Sequence, residues 1–207
     1  MNIDDNKLKN NKIIKNNNYN HYFIGTIINN SELISKLNIL QNVLKNKRFY
    51  ISKSKYFKNF YSGFIYLGYI KEEIALKLKN YLNPLLISIV DNIEILDCEF
   101  NSINYNEDTK SINLYYNCYL ISDVIIPFLF KYGINNLLNT KINKNINTKL
   151  FISLIKIDEF NNENKFIENL KTLYLPKNKN FIIQSIDIFS GLQIEDNIKL
   201  ISSYPIK

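Results

Sequence analysis

Several residue types are rare or absent in this chain, and their absence excludes whole classes of function. The 207 residues include one histidine, two cysteines, five glycines and no tryptophan. A single histidine excludes every mechanism that needs two imidazoles. Five scattered glycines and the distant pair Cys98 and Cys118 exclude a Walker phosphate loop, a dinucleotide glycine fingerprint and the spacing of zinc ligands. We therefore expect neither a metal nor a cofactor.

Long apolar runs are also missing. The longest candidate, Ile121–Phe130, is interrupted by Asp123 and Pro127 and is shorter than the ~20 residues that span a bilayer. No apolar stretch of about 7 to 15 residues follows the first charges, so the sequence does not predict a secretory signal. The two cysteines fit a reducing compartment, and a disulfide between them is not favoured. We expect no membrane association and an intracellular location, with the cytoplasm favoured and an organelle left open.

The net charge of +7 and the pI of about 9.1 are typical of proteins that contact nucleic acid. The excess of Asn, Ile, Lys, Tyr and Phe, with one Arg and one Ala, is also what an AT-rich genome produces without selection on function. Lysine can then serve as an ordinary polar residue. Charge alone therefore leaves contact with RNA or a ribonucleoprotein as one of two interpretations.

The chain divides into a polar leader and a body. Residues 1–20 contain eight Asn and four Lys, which is too little apolar surface to offset the cost of ordering the backbone. We predict a disordered leader over residues 1–20 and a single domain over residues 21–207. The body predicts strands at about 22–28, 60–70, 92–103, 111–120, 150–157, 181–189 and 197–206, and helices at about 31–48, 71–82, 122–138 and 163–173. This order predicts an α+β protein.

One unit of this pattern occurs twice. The segment Phe64–Glu72 is similar to Phe151–Glu159, and each combines an Ile-rich strand, an acidic residue and a following amphipathic helix. Chance similarity between two Ile-rich strands is one interpretation. An internal duplication that gives two lobes around a cleft is the other.

The layout resembles the two-histidine (2H) phosphoesterase superfamily, in particular its RNA 2′,3′-cyclic phosphodiesterase or 2′-5′ RNA ligase-like (LigT-like) branch. The resemblance covers about residues 22–207 and depends on the order and spacing of elements. Tyr22–Lys47 is similar to the family's opening strand and helix, and Phe181–Ser190 with Ile201–Ile206 is similar to its terminal hairpin. The family's two motif blocks are matched by Phe60–Glu73 and Lys149–Ile157.

The resemblance implies a bilobal fold, with two pseudo-symmetric lobes of antiparallel sheet and outer helices around a central cleft. In the family, each lobe contributes one His-x-Thr motif. One histidine removes a proton from the attacking oxygen while the other donates one to the leaving oxygen. Because side chains alternate along a strand, the histidine and threonine of each motif face the cleft together.

This chain departs from the family at those positions. Aligning the first motif on its Leu-Gly pair puts Tyr61 at the histidine position and Gly63 at the threonine position, and in the second motif Phe151 and Ser153 occupy them. Aligning on the internal repeat instead selects Phe64 and Tyr66, which we expect on the opposite strand face. Neither alignment supplies an imidazole, and His21 is expected before the first strand, exposed to solvent.

The sequence therefore predicts a catalytically degenerate 2H-phosphoesterase-like protein that binds RNA or a nucleotide or belongs to a ribonucleoprotein. The expected binding residues are Tyr61, Phe151 and Ser153, with aromatic rings that could stack on a base. Two alternatives remain open. One is an active phosphodiesterase with a rebuilt site, and the other is a structural interaction domain whose cleft is filled.

Overall fold

The structure is a computed structural model that describes residues 19–135, 149–173, 175, 179–192 and 198–207. Its strands are β1 (Tyr19–Ile27), β2 (Ile51–Tyr56), β3 (Tyr61–Lys71), β4 (Leu96–Asn106), β5 (Ser111–Asn117), β6 (Leu150–Phe160), β7 (Asn180–Ile183), β8 (Ser185–Ser190) and β9 (Lys199–Pro205). Its main helices are α1 (Ser31–Lys45), α2 (Glu72–Asp91), an irregular helical segment α3 built from Leu120–Ile125, Ile126–Leu129 and Phe130–Ile134, and α4 (Glu163–Leu170). A short 3₁₀ turn covers Arg48–Tyr50.

All strand pairs are antiparallel, and together they form one nine-stranded sheet. The strand order is β7-β4-β5-β6-β3-β1-β8-β9, and β2 adds to β6. The two halves of this order, β9-β8-β1-β3 and β7-β4-β5-β6, meet at a single residue pair, Ser62 with Ile152. The fold is α+β, and the prediction of two antiparallel lobes with outer helices is confirmed.

The sheet is strongly curled. Its edge strand β7 and its strand β8 lie in different lobes, yet only Gln184 separates them in sequence. A flat sheet could not bring the two lobes so close along the chain. The predicted single strand 181–189 is therefore wrong, because it is two strands that pair with β4 and with β1 and β9.

The two faces of the sheet differ. One face packs against the helices, as α2 does against β1, β3, β8 and β9. The Tyr204 hydroxyl donates a 2.9 Å hydrogen bond to Oδ1 of Asn83 on α2. The opposite face, which we name the groove face, includes Tyr61, Tyr66, Tyr115 and Phe151.

The helices begin where the sequence predicts and end elsewhere. Asn30 caps α1, because its side-chain oxygen accepts from the Leu33 N–H at 2.9 Å. Helix α2 was predicted to end before Pro84 but continues to Asp91. Buried Leu86, Ile89 and Val90 lie beyond the proline, and burying each contributes about 1.5–3 kcal/mol, which offsets the lost hydrogen bond. No helix in the described residues is both long and apolar enough to span a bilayer.

The chain enters the sheet earlier than predicted. Tyr19 and Asn20 already belong to β1 and pair with Lys71 and Ile70, so β1 includes the last two residues of the predicted leader. His21, expected before the strand, lies inside it. Residues 1–18 of the leader and the last three residues of the helix predicted at 122–138 lie outside the described residues.

Candidate binding site

The junction between the two lobes brings the four motif positions together. Ser62 on β3 pairs with Ile152 on β6. Tyr61 and Gly63 flank Ser62, and Phe151 and Ser153 flank Ile152, so all four project to the face opposite the central pair. Because the strands are antiparallel, Tyr61 lies on the side of Ser153 and Gly63 on the side of Phe151.

Two β-bulges mark the symmetry of this junction. The pairing of β1 with β3 skips Phe64, and the pairing of β5 with β6 skips Leu154. Each bulged residue lies two positions beyond the central pair, Ser62 or Ile152, on its own strand. The local symmetry therefore relates Tyr61 to Phe151. The sequence repeat instead aligns Phe64 with Phe151, so its register differs from that of the structural symmetry by three residues.

The bulge in β3 also corrects the expectation for the alternative register. Phe64 is buried in the main core, whereas Tyr66 returns to the groove face. The extra residue shifts the alternation by one, so Tyr66 pairs with Phe23 and their ring centroids are 5.8 Å apart. Tyr66 therefore shares a face with Tyr61, contrary to the prediction that they lie on opposite faces.

One half of the groove face is aromatic. The rings of Phe23 and Phe189 stack with centroids 4.8 Å apart, and Tyr61 meets Phe189 edge-on at 5.4 Å. Phe23 and Phe189 are fully buried, Tyr61 is half-buried, and Tyr66 is 45% exposed. In this half, the partly exposed rings of Tyr61 and Tyr66 therefore lie over the buried, stacked rings of Phe23 and Phe189.

The other half is polar. Oδ1 of Asn113 accepts hydrogen bonds from Ser153 at 3.0 Å and from Ser111 at 2.9 Å, and Ser111 in turn bonds Thr109 at 2.6 Å. Asn113 is fully buried and its Nδ2 has no hydrogen-bond partner. A buried donor without a partner costs about 1–3 kcal/mol. The row of side chains therefore contains one buried donor that the surrounding residues leave unsatisfied.

An open pocket of about 970 Å³ lies next to Tyr115, outside the row of Ser153, Asn113 and Ser111. It lies where β5 ends and β6 begins, and its lining includes Tyr115, Lys149 and Asp123. Tyr115 also contacts Phe151, with ring centroids 5.7 Å apart. The pocket therefore brings a cationic side chain close to the ring at the second histidine position.

The titratable groups of the groove face are poor proton acceptors. Burial raises the pKa of Tyr61 above its usual value, against a smaller opposing hydrogen bond from Asn59. Burial of its phenol group also raises the pKa of Tyr66, although the residue as a whole is 45% exposed. Both phenols therefore stay protonated at neutral pH, and Phe151 has no proton to exchange.

His21 lies far from the junction. It is six residues from Ile27, the β1 partner of Tyr61, which corresponds to about 20 Å along the strand. Its ring contacts Tyr69 at 5.0 Å. The one imidazole of the chain therefore cannot act between Tyr61 and Phe151.

The structure adds residues that the sequence analysis did not identify. Asn113 and Tyr115 come from β5, and Phe23 and Phe189 come from β1 and β8. Their role depends on strand register across the sheet, for which the sequence holds no local signal. Within the described ranges, no cluster of three or more His, Cys, Asp or Glu side chains could hold a metal ion.

Solved structures resemble this fold over nearly its whole length. TT0787 of Thermus thermophilus superimposes with a TM-score of 0.62 at 10% identity, covering 90% of this chain and 97% of that one. Escherichia coli LigT complexed with 3′-AMP gives a TM-score of 0.54 at 8% identity, with coverage of 92% and 99%. Kluyveromyces marxianus Usb1 with uridine monophosphate gives 0.50 at 9% identity, with coverage of 91% and 98%.

Sequence comparison adds nothing to this. No family model matches the chain, and no curated protein matches it significantly. The similarity is one of architecture, with few identical residues, and it agrees with the fold that the motif blocks imply. The chain has the fold of the 2H phosphoesterases.

Proposed function

We propose that this chain binds single-stranded RNA or a nucleotide on its groove face and does not perform the two-histidine reaction. The observation that carries the proposal is the occupancy of the lobe junction. The residues that flank the central strand pair are Tyr61, Gly63, Phe151 and Ser153. None of them can serve as the imidazole acid or base.

The chemistry supports the absence of catalysis. Each positioned acid or base contributes about 10²–10⁴-fold to a rate, so loss of both removes most of the acceleration. Phe151 can neither accept nor donate a proton. Burial holds the Tyr61 phenol protonated at neutral pH, which leaves it unable to act as a base.

The two halves of the groove face suit the two parts of a nucleotide. Aromatic side chains in single-strand binders stack on bases, at about 1–3 kcal/mol per base. Tyr61 and Tyr66 offer such rings beside Phe151. Lys149 offers an ammonium group that can contact a phosphate, and Ser153 can offer its hydroxyl only by releasing its hydrogen bond to Asn113. The solved LigT and Usb1 structures with 3′-AMP and uridine monophosphate make a nucleotide the natural ligand to test on this fold.

The open pocket supports a binder over the structural alternative, although it lies beside the junction and not at it. Its lining includes Tyr115 and Lys149 and lacks Tyr61, Phe151 and Ser153. Its volume of about 970 Å³ falls within the range of about 300–1,000 Å³ that small-molecule sites occupy. The rebuilt-site enzyme remains as an outcome of the activity assay described in the Discussion.

Binding can be measured by fluorescence anisotropy with a labelled single-stranded RNA of about ten nucleotides, a length within known site sizes. Tyr66→Ala should weaken binding about tenfold, because one stacked base is lost. The matched control is Tyr81→Ala, since Tyr81 is 41% exposed on the outer helix α2 while Tyr66 is 45% exposed in the groove. The control should leave affinity unchanged.

A second pair of variants tests the phosphate contact. Lys149→Gln should weaken binding and lower the slope of affinity against salt concentration by about one counterion. Lys77→Gln, an exposed lysine on α2, is its control. Absence of RNA binding at low salt, or equal losses in the groove and control variants, would contradict the proposal.

A further inference from the structure

The two cysteines of the chain lie next to each other in the sheet. Glu99 and Asn117 form the outermost pair of β4 with β5, so Cys98 and Cys118 occupy the next opposing positions. Opposing residues in an antiparallel pair have Cβ atoms about 4.5–5.5 Å apart, close to the separation of about 3.5–4.5 Å in a disulfide. The two thiols are free, buried and hydrogen-bonded to each other.

The environments of the two thiols differ. Cys118 follows β5 and precedes α3, and its sulfur accepts the backbone N–H groups of Leu120 and Ile121. The pKa of Cys118 is lowered, mainly by the hydrogen bond from Cys98. Burial acts in the opposite direction, and the two backbone amides lower the pKa further. Burial raises the pKa of Cys98. The nearby carboxylate of Asp97 opposes ionisation of both thiols without reversing the difference.

Access also differs between them. Cys118 lines the open pocket of about 970 Å³, together with Ser122 and Lys149. Cys98 is absent from that lining, and its sulfur lies 3.5 Å from the Leu96 carbonyl oxygen. A small oxidant in the pocket would therefore meet Cys118 first.

We propose that Cys118 and Cys98 form a reversible redox pair, in which Cys118 reacts with a peroxide and Cys98 resolves the product as an intramolecular disulfide. The Cys118 thiolate attacks one peroxide oxygen and the O–O bond breaks. This gives a sulfenic acid on Cys118 and releases hydroxide, which takes up the proton lost from Cys118. The Cys98 sulfur then attacks the Cys118 sulfur, the S–O bond breaks, and water leaves with the Cys98 proton. Two thiols thus give two electrons, and one peroxide becomes two waters.

This site is separate from the junction of Tyr61 and Phe151 and does not depend on RNA binding. Cys118 lies in the wall of the pocket that Tyr115 and Lys149 also line. A cross-strand bond there would fix the start of β4 to the end of β5.

The test treats the full chain with hydrogen peroxide, blocks remaining thiols with N-ethylmaleimide and analyses peptides without reduction. We expect one monomeric product in which the Cys98 and Cys118 peptides are joined, and its reversal by dithiothreitol. The folded chain should form this bond at least about tenfold faster than the same chain in guanidinium, because the fold supplies the activated thiol and its partner. Equal rates in the two states, or cross-links between chains only, would overturn the proposal.

Two variants separate the roles of the thiols. Cys98→Ser should accumulate a sulfenic acid on Cys118 that reacts with dimedone, since the resolving thiol is gone. Cys118→Ser should leave Cys98 unlabelled at the same peroxide concentration. Preferential labelling of Cys98 would overturn the assignment. If either variant fails to fold, the comparison of the folded and unfolded natural chain still decides the question.

Discussion

At the scale of single residues, Asp187 is a buried carboxyl group that connects three strands. It is fully buried on β8 and accepts hydrogen bonds from Ser185 at 2.8 Å, from Ser203 on β9 and from the Ile27 N–H on β1 at 3.2 Å. Burial raises its pKa above the usual value, while these hydrogen bonds oppose the rise. The group therefore fixes β1, the partner of the motif strand β3, against the β8–β9 hairpin.

Asp187→Ala should lower the free energy of unfolding by about 2–4 kcal/mol, because several buried donors lose their acceptor at once. The control is Asp91→Ala, since Asp91 forms an exposed ion pair with Lys207 and such pairs contribute about 0–1 kcal/mol. Urea unfolding at pH 7 measures both. A loss for Asp187→Ala no larger than that of the control would contradict the assignment.

The same residue predicts the sign of a pH effect. Because the pKa of Asp187 is raised in the folded chain, folding favours its protonated form. The stabilisation that protonated Asp187 gives the folded chain is complete below the unfolded pKa of about 3.9 and is lost as pH rises through the folded pKa. The unfolding free energy of Asp187→Asn, which has no charge, should therefore improve relative to that of the natural chain as pH rises across this interval. A relative change in the opposite direction would show that the hydrogen bonds outweigh burial.

The residues at the junction could be selected from the sequence only in part. The Leu-Gly pair after the first motif directed the alignment to Tyr61, on the face that also carries Tyr66. The bulge at Phe64 could not be foreseen, because a one-residue insertion changes the facing of every later side chain without a sequence signal. Asn113 became visible only when β5 was paired with β6.

At the scale of elements, helix α2 tests how burial competes with local propensity. Pro84 is exposed in the helix interior and removes one backbone donor. Pro84→Ala should raise the thermal midpoint, because proline is about 3 kcal/mol worse than alanine in a helix interior, with part of this gain offset by a more flexible unfolded chain. Asn83→Ala on the same helix should instead destabilise, since Asn83 accepts from Tyr204. Circular dichroism on heating measures both. A lower midpoint for Pro84→Ala would mean that the proline ring itself is required for packing.

Two features were missed by sequence reasoning: a strand with a polar sequence, and a break between two apolar strands that no turn residue marks. Strand β2 reads Ile-Ser-Lys-Ser-Lys-Tyr, with little apolar surface, and it pairs only with β6. Strands β7 and β8 read as one apolar run because Gln184 is neither glycine nor proline. By contrast, the strands predicted at 92–103 and 111–120 correspond to β4 and β5, which are joined by a polar turn where Lys110 adopts a positive φ of 51°.

The start of β1 predicts how truncation acts. The polar composition of residues 1–18 predicts that their removal leaves the thermal midpoint nearly unchanged. Removal of residues 1–21, so that the chain begins at Tyr22, should lower the thermal midpoint by several degrees. That deletion also takes away the pairing of Tyr19 and Asn20 with β3 and a 2.6 Å hydrogen bond from Asn20 to Ser190. Differential scanning fluorimetry compares the two truncations. Equal midpoints would mean that the first residues of β1 add no stability, and a drop on removal of residues 1–18 alone would mean that the leader packs on the body.

At the scale of the whole molecule, two antiparallel lobes meet at one strand pair, in a fold similar to those of TT0787 and LigT. The main core excludes Phe23 and Phe189, which instead form a second apolar cluster under the groove. The proposed binding surface would therefore lie over this fixed aromatic base.

Restoring the family residues should not fully restore activity. Tyr61→His with Gly63→Thr, and Phe151→His with Ser153→Thr, would supply two imidazoles and two hydroxyls. Catalytic groups must lie within about 0.5 Å of the productive geometry. The aromatic contacts of Phe189 with Tyr61 and of Tyr115 with Phe151 are not built to hold imidazoles in this way.

The most direct test of the account is an assay of the natural chain for hydrolysis of 2′,3′-cyclic nucleotides and 2′-5′-linked RNA without added metal. We expect no turnover above background, weak recovery at most in the four-residue variant, and RNA binding that weakens steeply as salt rises. Turnover by the natural chain that is abolished by Tyr61→Phe or Ser153→Ala would contradict it, and would establish a rebuilt active site at the lobe junction.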